Sequence, residues 1–335
     1  MYCLAADIGG TKTVLAVFAP AGDGSYRLTR AQRYESAAHE NLPSMVRQFL
    51  ALGREPITRA GIGVAGPVAA GKSSLTNLVW ELDERDLAAD LVFERVTLVN
   101  DFVAVALGIP SLEPTDLAVL QDGTVDSSGP VAILGAGTGL GEALLLSAGT
   151  GLTVLPTEGG HTGLGPSNPR ELDLLRFLQS KYGHVSWERV LSGPGIKNIY
   201  DFLVASGEVE LDPTRQRLQS EDAGAVIGEL AVAGSDPTCV AAVNMFAQLY
   251  GSEAGDFALK SLPTGGVYVA GGIAPRVLSI LRNGGFVSAF NNKGRMSRLT
   301  VGFRVSVVLQ DRVALIGACR AALGEQGTSK ILLHA

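Results

Sequence analysis

The stretch Gly135-Ala136-Gly137-Thr138-Gly139-Leu140-Gly141 decides how this chain is read. Glycine loses more conformational freedom on folding than any other residue, so four glycines in seven residues need a reason. The flanks are apolar. Residues 131–134 read as a buried strand and residues 142–147 as a strand that returns. A glycine turn of the dinucleotide-binding kind would open a helix, and this one joins two strands, so that reading fails its context. A strand–turn–strand of this type can aim backbone N–H groups at an anion, and Thr138 adds a hydroxyl for a terminal phosphate.

The same design stands at the N-terminus. Asp7-Ile8-Gly9-Gly10-Thr11-Lys12-Thr13 lies between apolar runs at 2–8 and 13–19. Its two glycines allow a sharp turn with N–H groups converging on one point. Asp7 is placed to hold a magnesium ion through water. Taken alone, the motif reads equally as an ordinary hairpin turn. A third motif, Val269-Ala270-Gly271-Gly272-Ile273, ends a strand before a helix and lets a flat ring approach the backbone; a plain strand-to-helix turn competes with that reading.

Outward from these turns, extended runs fall at 26–34, 60–65, 96–99, 267–270 and 303–308. Helical spacing covers 42–52, 170–182, 186–191, 195–205, 237–261 and 311–323. Strand-rich then helix-rich segments, each headed by a glycine hairpin, imply two related α/β lobes facing a cleft. Gly108-Ile109-Pro110 marks a domain edge.

Composition narrows the function. Of 335 residues 42 are glycine, 46% are hydrophobic and 18% charged. That apolar content sustains a core and excludes a disordered or collagen-like chain. The net charge of -6, with no basic stripe, argues against a nucleic-acid partner. Cys3, Cys239 and Cys319 show no C-x-x-C spacing and read as buried small hydrophobes in a reducing compartment. The N-terminus has no basic region of a signal peptide, and glycines break the most apolar stretch, so a cytoplasmic location without a membrane span is expected.

Gly66-Pro67-Val68-Ala69-Ala70-Gly71-Lys72-Ser73 matches the P-loop pattern. Leu75, Leu78, Val79 and Leu82 follow it at helical spacing, and 96–101 would serve as a Walker-B strand. The pattern is short, and accepting it leaves two glycine hairpins unexplained. Two carboxylate motifs remain. Asn100-Asp101-Phe102 follows the strand at 96–99, at the end where ligands bind in α/β folds, and Asp101 there can take a proton from an attacking hydroxyl. A helix N-cap for 102–107 is the competing role. Thr157-Glu158-Gly159-Gly160-His161, with Glu188 further on, supplies carboxylates suited to sugar hydroxyls. A metal-binding or purely structural His161, and a merely exposed Glu188, are the competing readings.

Together these motifs resemble the bacterial-type glucokinases of the hexokinase/actin/heat-shock ATPase superfamily. Thr76-Asn77, Glu188-Arg189-Val190-Leu191-Ser192-Gly193-Pro194-Gly195 and Ala270-Gly271-Gly272-Ile273 complete the match. The resemblance implies a two-lobed actin-like ATPase (ribonuclease H-like) α/β fold with its active site in the interdomain cleft. The expected lobes are 1–108 plus 312–335 and 109–311. It implies ATP-dependent phosphorylation of the 6-hydroxyl of glucose, the first step of glycolysis, with magnesium. The implied nucleotide contacts are Ala6 (where the family usually has glycine), Asp7, Ile8, Gly9, Gly10, Thr11, Gly137, Thr138, Gly271 and Gly272. The implied sugar contacts are Asn77, Asn100, Asp101, Glu158, His161 and Glu188, with Asp101 the catalytic base. The zinc-binding relatives carry a cysteine cluster after the glycine-histidine motif. This chain has none, so zinc is not expected. In the family the P-loop-like segment is a hairpin near the sugar, which makes Lys72 a decoy. The competing functions are a kinase for another hexose, a P-loop NTPase using 66–73, a sugar-responsive regulator and a chaperone-like ATPase. The regulator would need a DNA-binding head, for which a sequence starting at its first strand leaves no room. The last of these would lack the sugar carboxylates. A homodimer is expected.

Overall fold

A computed structural model describes residues 1–75, 78–148, 151–324 and 331–333. In chain order the elements are β1 (Tyr2–Ile8), β2 (Lys12–Pro20), β3 (Tyr26–Glu35), α1 (Leu42–Leu50), β4 (Ile57–Val64), β5 (Lys72–Leu75), β6 (Trp80–Asp83), α2 (Glu84–Leu91), β7 (Arg95–Asn100) and α3 (Asp101–Gly108). Then come β8 (Leu117–Gln121), β9 (Val131–Ala136), β10 (Leu140–Ala148), β11 (Gly151–Thr157), α4 (Pro169–Tyr182), α5 (Gly193–Ala205), α6 (Asp212–Leu218), α7 (Ala223–Ala233) and α8 (Pro237–Ser261). The chain ends with β12 (Val267–Ala270), α9 (Leu278–Leu281), α10 (Gly285–Asn291), α11 (Ser297–Thr300), β13 (Val305–Val308), α12 (Val313–Leu323) and β14 (Ile331–Leu332). Two compact units result: Met1–Thr115 with Leu145–Pro156 and Gln310–Ala335, and Asp116–Leu144 with Thr157–Leu309.

The first sheet has the order β14-β3-β2-β1-β4-β7. β1 pairs antiparallel with β2 and parallel with β4, and β4 runs parallel to β7. Period-two alternation makes β1 a two-faced strand. Leu4, Ala6 and Ile8 enter one core with α1 and α2, whereas Cys3 and Ala5 enter another with α12. β1 and α12 thereby bring the Cys3 and Cys319 sulfurs to 3.0 Å as free, buried thiols, a pairing that sequence spacing did not reveal.

The helix pair α3 and α12 packs backbone to backbone. A Cβ at Gly317 would lie 1.7 Å from the Ala104 carbonyl oxygen, and one at Gly61 in β4 1.8 Å from that of Ala318. This contact seats the start of α3 at the end of the sheet.

The second sheet has the order β11-β10-β9-β12-β13-β8, so the meander and two parallel neighbours of the first sheet recur. Here the sequence reading of a repeated lobe meets its structural counterpart: a mixed α/β fold with two related sheets. The long helix α8 is the core of this unit. Asp236 caps it by accepting from Thr238 and Cys239 N–H groups, and Pro237 opens it. Its Tyr250 hydroxyl accepts the Ala136 N–H at 3.0 Å and so pins the end of β9. No single helix among the described residues is long and apolar enough to cross a membrane.

Several expectations need correction. The helical spacing at Leu75, Leu78, Val79 and Leu82 belongs to the two-stranded sheet β5-β6, where alternation puts Leu75, Trp80 and Leu82 inward. Residues 186–191 form only a short 3-10 turn, Trp187–Arg189. The helices α6 and α7 and the strands β8 and β11 were not read from the sequence at all.

Gly317→Ala should destabilise the protein by about 1–3 kcal/mol, because the overpacking of α12 on α3 outweighs the ~1 kcal/mol that alanine gains as a helix former. A chemical denaturation curve measures it. An unchanged midpoint would show that the two backbones can part freely.

Candidate active site

In the first unit the turn between β1 and β2 is closed by the Gly9 N–H bonding to the Lys12 carbonyl at 2.9 Å. Ser36 braces it, donating its N–H to the Thr11 carbonyl at 2.8 Å. Among the described residues no acceptor takes the N–H of Gly10 or Thr11, and both residues are exposed. The free N–H groups of this turn are therefore those of Gly10 and Thr11, with Gly9 committed to the turn itself. Ala6 and Ile8 are buried in the core, so their contribution to any ligand is through the backbone.

Asp7 and Asp101 stand near each other at the ends of β1 and β7. Burial, and then the Asp101 charge, push the Asp7 carboxyl up to about 6. Burial raises Asp101 too, opposed by the Phe102 N–H and the Asn100 side chain. The N-cap of α3 is Asn100 rather than Asp101. The Asn100 Oδ1 accepts from the Phe102 and Val103 N–H groups, and its Nδ2 donates to the Gly66 carbonyl at 3.1 Å. Asp101 is the first helical residue, with Oδ1 accepting the Phe102 N–H at 2.8 Å. Asn77 lies outside the described residues.

The P-loop reading fails on context. Ala69 and Lys72 exchange two backbone hydrogen bonds around Ala70 and Gly71, both at positive φ, which is a tight hairpin. Lys72 opens strand β5 instead of a helix, and its ammonium pairs with Asp83 at 2.9 Å. A P-loop needs a helix start and a free lysine after its glycines, and this segment has a strand and a paired lysine instead.

In the second unit the Gly137 N–H closes the turn on the Gly139 carbonyl at 2.8 Å, and the Gly137 carbonyl accepts the Gly193 N–H at 2.8 Å. Among the described residues, the N–H groups of Thr138 and Gly139 have no acceptor. Gly271, at φ +83, passes so close that a Cβ would lie 2.4 Å from the Ala136 carbonyl oxygen. Beside these turns lies a cavity of about 890 Å³ lined by Gly137, Thr138 and Gly272. The N-terminal residues Gly193, Pro194 and Ile196 of α5, the α7 residues Gly224, Ala225 and Gly228, and Ile273 supply mostly apolar walls; Asp222 and Arg276 are polar. Sequence reasoning missed the α7 lining and Arg276. The available signal was Asp222 before Ala223-Gly224-Ala225, a helix start: Asp222 does cap α7, accepting the Ala225 N–H.

Glu158, His161 and Glu188 come together. Thr162 accepts the Trp187 N–H, and Gly163 bridges Ser186, so the two segments run alongside each other. His161 Nδ1 lies 3.9 Å from Glu188 Oε1, and its Nε2 3.8 Å from Glu158 Oε2. The Glu158 side chain is 88% exposed and open to a ligand. Glu188 has a second partner: its Oε2 accepts the Leu140 N–H at 3.0 Å. One carboxylate thus ties the glycine turn at the cavity to the histidine.

Lys72→Ala should leave nucleotide turnover within a few-fold of the parent in a coupled assay. Loss of nucleotide use would restore the P-loop reading.

A family model described as Glucokinase matches residues 4–325. A glucokinase of Nostoc sp. is 42% identical over 95% of this chain and 98% of its own length. The crystal structure of a glucokinase from an Antarctic psychrotroph superposes with a TM-score of 0.85 at 34% identity, covering 96% of this chain and 98% of the other. A glucokinase from Balamuthia mandrillaris, solved in complex with glucose, shares the fold with a TM-score of 0.78 at 22% identity over 96% and 94% of the two chains. A family model over nearly the whole chain and a relative 42% identical along almost all of both sequences show that the chain belongs to the glucokinase family.

Proposed function

We infer that the protein transfers the terminal phosphoryl group of ATP to the 6-hydroxyl of D-glucose, the entry step of glycolysis. One observation carries the reading. The turn 137–140 lines a cavity at Gly137 and Thr138 and, at Leu140, holds the carboxylate of the Glu158–His161–Glu188 cluster. A nucleotide site and a polyol site thus share one hairpin. The cavity volume lies within the usual ligand range, and its glycine and proline walls suit a flat base. The N-terminus of α5 and the free N–H groups of Thr138 and Gly139 suit phosphate.

In this reading the lobes are 1–108 with 312–335 and 109–311, acting on one ATP and one sugar. The compact units follow this division in outline, with 109–115 and 145–156 going to the first unit. Gly10 and Thr11 offer N–H groups to phosphate oxygens. Glu158, His161, Glu188 and Asn100 orient the sugar, with Asn77 the further contact implied by the resemblance. Asp101 accepts the proton of the 6-hydroxyl as that oxygen attacks, and its burial raises it toward the range in which a carboxylate is an effective base. Magnesium fits the residues present: the Asp7 carboxylate has no hydrogen-bond donor among the described residues and faces a second carboxylate. When bound, the metal neutralises phosphate charge, with Asp7 contacting it through water. No group of three or more His, Cys, Asp or Glu is arranged for a metal among the described residues, so Asp7 is the residue that would hold it. A homodimer and a cytoplasmic location belong to the same reading.

Asp101→Ala should cut kcat by about 10²–10⁴-fold while weakening glucose binding far less. Steady-state kinetics with ATP and a panel of hexoses tests this together with the substrate; if no hexose supports ADP release, the function is overturned. In the parent enzyme, kcat/KM should fall as the pH drops through about 6, because Asp7 then takes up a proton and loses the charge that a metal requires. A profile flat from pH 5 to 7 removes Asp7 from the site.

A further inference from the structure

Behind the segment that carries Glu158 and His161 lies a pair of carboxyl groups that the function above does not use. Glu142 on β10 is 4% exposed and Glu253 on α8 is fully buried. Glu142 Oε1 and both oxygens of Glu253 are enclosed without a hydrogen-bond donor among the described residues. The two carboxyl groups are within hydrogen-bonding reach of each other. One cation stands near them: Lys260 Nζ is 3.9 Å from Glu253 Oε1, and its side chain is largely in solvent. Asp256, a turn along α8, is already matched by Lys293, whose Nζ donates to it at 2.7 Å and to the Ser252 carbonyl at 2.8 Å.

Two buried carboxyl groups facing one solvated cation do not both ionise. One proton held between them makes a charge-assisted O–H···O⁻ bond, and the titration belongs to the pair. Burial, then the Glu142 charge, push Glu253 up to about 8. Tyr250, the other titratable group facing Glu142, is raised by burial and bonded to Ala136, so it keeps its proton.

The pair touches the sugar-facing segment directly. Glu142 Oε2 occupies the place where a Cβ at Gly159 would stand, 1.9 Å from that position. The Glu142 carbonyl accepts from Thr157 Oγ1 at 3.1 Å, which in turn accepts the Gly159 N–H at 3.2 Å. Gly160 is as tightly placed, with its Cβ position 2.3 Å from the Leu140 carbonyl oxygen. Glu158 and His161 flank these two glycines.

We propose that Glu142 and Glu253 are a proton-sharing positioning pair that braces the Glu158–His161 segment in its sugar-accepting geometry and releases it when the shared proton leaves. The proposal rests on the reading of Glu158 and His161 as sugar contacts. Glu253 is fixed on the core helix, so repulsion in the deprotonated pair displaces Glu142 and the Gly159 that lies on it. Charged groups facing the pair are Asp256 and Lys260, both on α8, beside the titratable Tyr250 of the same helix. The sign follows from the raised Glu253 carboxyl. The folded protein keeps a proton that the unfolded chain releases, so stability declines as the pH rises from the ordinary carboxyl range to about 8 and levels off above it.

The test is a pH series from 7 to 9.5 on the full chain and on Glu253→Gln, with glucose varied at saturating ATP. In the parent, KM for glucose should rise several-fold through about pH 8 with kcat changing by less than about twofold. Glu253→Gln, whose amide donates to Glu142 without titrating, should hold KM constant across the series. Glucose titrations followed by the fluorescence of Trp187, next to Glu188, give the same profile as a Kd without turnover. A protein that binds glucose but phosphorylates no hexose would overturn the kinase reading and leave this one standing. The parent should also lose melting temperature between pH 6 and 8, and Glu253→Gln should lose less. An equal alkaline rise in KM in Glu253→Gln overturns the proposal, as does a parent Kd for glucose that is flat through pH 9.5. If Glu253→Gln does not fold, the parent Kd profile alone decides.

Discussion

The hydrogen bond that closes each glycine turn is the constraint on which the site depends. Gly9 N–H to Lys12, and Gly137 N–H to Gly139, fix two strand–turn–strand units and leave the following N–H groups exposed. The hairpin at 69–72 is closed in a similar way, yet it leads into the strand pair β5-β6 and its lysine is held by Asp83, so it has the P-loop sequence without the helix and free lysine that the pattern needs.

Around those turns the packing is set by backbone contact. Gly317 lets α12 lie on α3, which seats Asp101 at the sheet's end, and Gly160 lets the histidine segment lie on Leu140. These contacts hold acidic groups where burial raises them: Asp7, Asp101, Glu142 and Glu253. Asp7 and Asp101 stand at strand ends where ligands are read to bind, whereas Glu142 and Glu253 lie behind them on β10 and α8. Desolvation at Asp101 costs stability and raises its carboxyl, which is the direction its proposed role as a base requires.

Local pattern was enough for much of the site. The turns at 9–11 and 137–139, the strand before Asp101 and the Glu158–His161 motif are legible because apolar alternation and glycine position are properties of short segments. The failures have a physical cause as well. Leu75 to Leu82 satisfies helical spacing, yet pairing with a partner strand decided otherwise. The helix α7 carries little amphipathic contrast, so nothing in its sequence separated it from a loop.

By itself the sequence determined the two glycine hairpins, the repeated lobe, the family and the segments proposed to meet nucleotide and sugar, since each depends on neighbours along the chain. Only the tertiary structure decided which N–H groups remain free, that Asn100 and not Asp101 caps α3, and that Glu188 ties Leu140 to His161. It alone brought Cys3 to Cys319 and Glu142 to Glu253. Those pairings join residues more than a hundred positions apart, and hydrogen bonding and desolvation across such separations depend on packing that no local pattern encodes.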